Sequence, residues 1–184
     1  MKKNLRHKIA HFVFVNEFRN KVTKSNVIPF DQATTIGILY DSSNEADYEI
    51  VRKYVKELRE IHHKDVLALG FYDQKELPTL RFSKLGLDFF TLKDLNWVYK
   101  PISGIVKRFV NKEFDILIDL HLNNQIPLNY VAASSNAKFK IGKYSKNAEN
   151  YYSFMLSVGE QTQLPAFIEQ VNHYLKLIKN EKSK

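Results

Sequence analysis

Six side chains in this sequence have types and spacings that could do chemistry. Asp41, Ser42 and Ser43 share one polar turn, Asp73 closes a second apolar run, and Asp119 and His121 stand two residues apart. Carboxylates beside a histidine can bind a divalent ion or act as acid and base. The turn Asp41-Ser42-Ser43-Asn44 has a simpler use, because Asp, Ser and Asn before a helix cap its free amides. Asp119 and His121 are harder to place on the surface. In the run DILIDLH, Leu117, Asp119 and His121 alternate onto one face and Ile116, Ile118 and Leu120 onto the other. Such a pair either bonds to a neighbouring strand or lines a site.

Several chemistries lack their signatures. The turn after TTIGILY holds no glycine, so neither a dinucleotide fingerprint nor a Walker loop is present. The six histidines show no zinc spacing, and no G-x-S-x-G nucleophile elbow occurs. No cofactor and no metal is implied.

A second group of residues is set apart by charge. Residues 1–24 carry Lys2, Lys3, Arg6, Lys8, Arg19, Lys21 and Lys24 against Glu17 alone. Residues 176–184 hold four lysines against Glu181, so most of the net charge of +8 sits in the two ends. Clustered charge of this kind makes a local field that attracts phosphate or anionic surfaces. Lys138, Lys140 and Lys143, interleaved with Phe139 and Tyr144, suit a nucleic-acid backbone as well; an edge strand guarded by lysines is the ordinary alternative.

The elements that must position these residues follow from periodicity. Residues 4–22 have helical spacing, with apolar positions at Leu5, Ile9, Phe12, Val13, Phe18 and Val22, and 23–33 form a linker. Strands are expected at Thr34–Tyr40, Asp65–Tyr72, Asp88–Thr91, Asp115–Leu120 and Lys138–Ile141, with Tyr151–Val158 a candidate sixth. Helices are expected at Glu45–His62, Pro101–Val110, Pro127–Ser134 and Leu164–Ile178. This alternation predicts an α/β, Rossmann-like three-layer sandwich with a mainly parallel sheet of five or six strands, preceded by a basic helix. The expected organisation is a basic amphipathic arm and linker over 1–33, a single domain over 34–178 and a lysine-rich tail over 179–184.

At 184 residues, with 44% hydrophobic content and no cysteine, the chain can bury a core without a disulfide scaffold. No apolar run reaches the ~18–20 residues of a membrane span. The amino-terminal apolar stretch is broken by Arg6, His7, Lys8 and His11, which argues against an export signal and for a cytoplasmic protein.

The stretches IGILYDSSNEADY (36–48), LALGFYD (67–73), DFFTLKDLNW (88–97) and FDILIDLHLNNQIPLNYVAASSNAKFKIGK (114–143) resemble a family of small uncharacterised proteins from Bacteroidota. That resemblance implies a fold and brings no activity. The last stretch is also similar to the amino-terminal Rossmann-like half of heptosyltransferase-type glycosyltransferases. Asp119-Leu120 stands where a strand leads into a helix there, and Ile141-Gly142 where the next strand ends. Those enzymes need a second domain of similar size and a glycine-containing loop after the first strand. Here the chain is short and the loop is Asp41-Ser42-Ser43-Asn44.

The primary expectation is therefore a non-catalytic α/β binding protein that docks on a larger cytoplasmic assembly, RNA or the ribosome, through its basic ends. Alternatives are a small enzyme or ligand-binding protein acting on a nucleotide or sugar around Asp41, Asp73, Asp119 and His121, and attachment to a protein complex or an anionic membrane surface through residues 4–22.

Overall fold

A computed structural model describes residues 2–21, 26–79, 81, 86–146 and 148–178. Five helices, α1 (Lys2–Phe18), α2 (Glu45–Glu60), α3 (Gly104–Asn111), α4 (Ile126–Ser134) and α5 (Leu164–Leu177), surround six strands among the described residues. The strands are β1 (Thr35–Asp41), β2 (Asp65–Tyr72), β3 (Leu87–Thr91), β4 (Ile116–Asp119), β5 (Phe139–Lys143) and β6 (Phe154–Leu156). They form one sheet in the order β3-β2-β1-β4-β5-β6, with every pair parallel. The fold is the α/β three-layer arrangement that the alternation predicts. The order reverses between β1 and β4, so a topological switch point lies at their carboxyl ends.

The strands read as continuous apolar runs because helices cover both faces. One face packs Ile36, Ile38, Val66, Ile116, Ile118 and Ile141 against α2 and α5. The other sets Leu39, Leu69, Phe71, Phe90 and Leu117 against α1, α3 and α4. Helix α2 begins where its sequence says it should. Asn44 accepts from the amides of Ala46 at 2.8 Å and Asp47 at 3.2 Å. Val51, Tyr54, Val55 and Leu58 then fall on one buried face at i, i+3, i+4 and i+7.

The amino-terminal segment corrects the expected organisation. Helix α1 is not a separate arm: Ala10, Phe14 and Phe18 are buried in the same core as α4. The Phe14 ring meets Tyr130 at 5.0 Å and Tyr151 at 5.9 Å, both edge-on, and Phe18 meets Tyr130 at 5.9 Å. Glu17 pairs with Lys100 at 2.6 Å. Helix α4 gives the reason, since Ile126 through Ala133 are all buried. A helix that is apolar all round cannot be satisfied by the sheet alone and needs a second cover. Of the apolar positions read from the sequence, Leu5 and Phe12 point outward, 61% and 67% exposed, with Ile9 half-buried between them.

The lysines on β5 are also placed differently from both readings of their sequence. β5 lies between β4 and β6, so it is no edge strand. Lys140 is only 2% exposed. Val22 at the end of the expected helix, residues 23–25 of the linker with Lys24, and the 179–184 tail lie outside the described residues, as do the side chains of Lys2 and Lys3.

Candidate functional site

Parallel pairing delivers the candidate residues to one end of the sheet, because β1, β2 and β4 all run toward it. Most of them turn out to hold that end together. Asp41 accepts from the Ser43 amide at 2.9 Å through Oδ1 and from the Gln125 side chain through Oδ2. The Ser42 hydroxyl is fully buried and donates to the Phe71 carbonyl at 2.9 Å. Ser43 Oγ accepts from the Asp73 amide at 3.0 Å. These bonds tie β1 to β2 and to the start of α4. Neither serine hydroxyl is placed as a nucleophile.

Asp119 and His121 belong to a buried polar chain. Asp119 Oδ1 accepts from His121 Nδ1 and from the His121 amide, and Oδ2 accepts from the Tyr152 hydroxyl at 2.7 Å. His121 Nε2 donates to Asn129 Oδ1 at 3.0 Å, and Asn129 Nδ2 donates to Asn124 Oδ1 at 2.8 Å. Because Asn129 spends its amide on Asn124, its oxygen faces the ring. Both ring nitrogens therefore meet oxygen acceptors, the arrangement of an imidazolium. Burial works against that charge, but the Asp119 carboxylate, its hydrogen bond, Asn129 and Asp41 outweigh it, so the His121 pKa lies above its ordinary value. Burial and Asp119 hold the Tyr152 phenol far above the usual phenol pKa, fixing it as a donor. Tyr152 reaches Asp119 across Gly142, where an added Cβ would come within 2.5 Å of the Tyr152 ring. Both ring nitrogens are engaged, and the pair ties β4 to α4 and to the Tyr152 segment. Among the described residues no three His, Asp or Glu side chains group to hold a metal ion.

A cavity lies on the α1 side of the sheet. It encloses about 360 Å³ between Phe71 and Asp73 after β2, Leu92, Leu95 and Tyr99 after β3, and Gln125, Ile126 and Pro127 at the start of α4. Arg6 from α1 and Lys75 supply its cations, and His7 adds an imidazole to its wall. Arg6 is fixed by Nε donating to the Trp97 carbonyl at 2.8 Å, with its guanidinium 4.2 Å from the centre of the Tyr99 ring. Tyr99 has a positive φ of 58°, which costs a residue with a side chain roughly 1–3 kcal/mol. Asn96 sustains it by accepting from the amides of Val98 and Lys100, both at 3.0 Å. The Gln125 amide nitrogen bonds to Asp41, while its buried Oε1 has no partner. Of the six chemistry-bearing residues singled out in the sequence, only Asp73 lines this cavity. Arg6, His7, Lys75, Tyr99 and Gln125 come from segments up to 119 positions apart in the chain, and no motif links them.

The residues expected to meet phosphate are largely engaged elsewhere. Lys138 pairs with Asp115 at 2.8 Å, and Lys143 donates to the Leu122 carbonyl at 3.0 Å. Lys140 donates to the Ala132 carbonyl at 3.1 Å, and Lys21 to the Ala133 carbonyl. The last two cap the carboxyl end of α4, where free carbonyls and the helix dipole favour cations. Lys140 is thus corrected from a nucleic-acid contact to a buried cap. Lys8 and Arg19 remain exposed.

Desolvation, helped by the nearby Lys21 charge, pulls Lys140 down to about 7. An unfolded lysine titrates near 10.4. Between those values the unfolded chain binds the extra proton, so this group makes stability rise with pH. Lys140→Met should therefore stabilise the fold at pH 6, by roughly 1–3 kcal/mol on the scale of buried-ion replacements. The advantage should shrink as pH rises through 7. Urea denaturation at pH 6 and pH 9 checks this, and a variant less stable than wild type at pH 6 would refute it.

The fold and the cavity define a Rossmann-like α/β protein with a cationic, apolar-floored cleft at the carboxyl edge of its sheet. The model of a family of unknown function (DUF6913) matches residues 6–178, and the chain belongs to that family. No curated protein and no solved structure matches it.

Proposed function

We propose that this protein is a non-catalytic cytoplasmic binding domain for a small anion carrying a flat apolar part, held in the cavity between α1, β2, the segment after β3 and α4. The observation that carries this reading is the composition of that cavity: Arg6, His7 and Lys75 against Asp73, above Phe71, Leu92, Leu95, Ile126 and Pro127. Its volume lies in the range of roughly 300–1,000 Å³ usual for small-molecule sites, and it opens beyond the carboxyl ends of β2 and β3. A nucleoside monophosphate suits it better than a free sugar. The base would lie on apolar side chains, the phosphate near Arg6 and Lys75, and the unpartnered Gln125 Oε1 could accept from a base or ribose donor. The similarity of 114–143 to a heptosyltransferase half, and an origin in Bacteroidota, fit the same reading. Docking on RNA or the ribosome would fall to Lys8, Arg19 and residues outside the described ones.

Uridine and adenosine 5′-monophosphate, glucose 1-phosphate and inorganic phosphate serve as probes in thermal unfolding. A nucleotide at a hundred times its Kd should add about 2.7 kcal/mol of stability, visible as a rise of several degrees in Tm. Arg6→Met and Lys75→Met should each remove most of that rise. The reading fails if no probe raises Tm, or if both variants respond as wild type does.

A further inference from the structure

Helix α1 carries two apolar stripes, and its packing on α4 uses only one. Ala10, Phe14 and Phe18 repeat at i, i+4 and i+8 into the core. Leu5, Ile9 and Phe12 repeat at i, i+4 and i+7 on the opposite side. Leu5 is 61% and Phe12 67% exposed, with Ile9 half-buried between them. At 100° per residue Lys8 lies along one edge of this outer stripe, Arg19 follows just past the helix end on the same edge, and both are exposed. The helix has one acid, Glu17, and it is turned to the loop side, where Lys100 holds it at 2.6 Å. The outward face is thus apolar over its first two turns, with Asn16 beyond Phe12, cationic along one edge and free of acid.

We infer that the outer face of α1 is an interfacial contact for an anionic lipid surface. The proposal does not use Arg6 or His7, which line the ligand cavity. Charge complementarity and side-chain type select the occupant. Lys8 and Arg19 meet acidic headgroups, while Leu5, Ile9 and Phe12 enter the headgroup–acyl boundary, to a depth of about 5–10 Å for a helix lying flat. A phosphodiester backbone would use the cations and leave the aliphatic side chains unsatisfied. A second copy of the chain would bring Lys8 and Arg19 against their own charges with no acid to offset them. Among the described residues no helix is long and apolar enough to cross a membrane, so the contact is one of lying on the surface.

The test is flotation of the full chain with phosphatidylcholine vesicles, with and without about one third phosphatidylglycerol. Binding should appear only with the anionic lipid and weaken as salt rises. Lys8→Gln and Arg19→Gln should each lower partitioning about fivefold, from ~1 kcal/mol per cation at the surface. Leu5→Ser with Phe12→Ser should lower it about tenfold or more while leaving Tm unchanged, because neither side chain is packed. Equal binding to both vesicle types, or binding to neither, overturns the proposal. So does insensitivity to the Leu5 and Phe12 changes, binding to polyuridylate that depends on Lys8 and Arg19 without any binding to anionic vesicles, or a dimer that the double variant dissolves.

Discussion

Asp119→Asn should destabilise the fold by about 3–5 kcal/mol at pH 6, the usual result of removing one partner from a buried ion pair. The variant keeps the shape of the side chain and removes its charge. His121 is then left inside without the carboxylate that offsets its desolvation, and the Tyr152 hydroxyl loses an ionised acceptor. The loss has a pH signature. In the wild type the His121 pKa is raised, so its contribution is complete below the unfolded value of about 6.5 and fades as pH rises through the folded one. Without Asp119, burial weighs against the charge with only Asn129 and Asp41 opposing it, so the variant loses stability as pH falls below about 6.5, whereas the wild type loses it only as pH rises above that value. The gap should be widest near pH 5–6 and narrow toward pH 8.5. Replacing His121 as well should restore part of the loss, because the second change removes the stranded charge. Urea denaturation of wild type, both single variants and the double variant at two pH values checks each part. A gap that does not change with pH would show that His121 is not charged in the fold.

Phe14→Ala should cost about 3–5 kcal/mol, whereas Phe12→Ala, two positions away on the same helix, should change stability by less than about 0.5 kcal/mol. Phe14 is 2% exposed and lies edge-on to Tyr130 and Tyr151, so its removal leaves a cavity between α1 and α4 that α4 cannot close without losing its cover. Phe12 stands in solvent. Denaturation midpoints for the two variants give a direct comparison. Similar small effects in both would mean that α1 is an independent arm after all. A large effect at Phe14 has a practical consequence: deletion of residues 1–21 unfolds the domain rather than isolating it, so loss of binding on truncation says nothing about where a partner docks.

Much of this architecture was legible in local pattern. Short apolar runs alternating with helical spacing predict parallel pairing and covered faces, and the six strands fall where those runs lie. The Asp41–Asn44 turn reads as a cap, and Asn44 caps α2. Asp119 and His121 stand out as polar residues in an apolar strand, and the structure gives them partners in the Tyr152 segment and on α4. These features depend on contacts within a few residues, or on a face whose burial is already written in its period.

What the sequence could not decide depends on contacts between distant segments. Both stripes of α1 are apolar, so periodicity could not choose between Leu5-Ile9-Phe12 and Ala10-Phe14-Phe18; the choice was made by Tyr130 and Tyr151, more than a hundred residues away. Lys140 reads as a surface cation until the carboxyl end of α4 is set beside it, offering carbonyls that replace water. The strand order that puts β4 next to β1 and makes the switch point is fixed by how whole layers pack. The cavity is the extreme case, since α1, β2, the turn around Tyr99 and α4 each supply one wall. Sequence by itself determined the elements and their buried faces, because hydrophobic period is a local property. The tertiary structure alone decided which charges are engaged and where a cavity forms, because desolvation and enclosure exist only once distant segments meet.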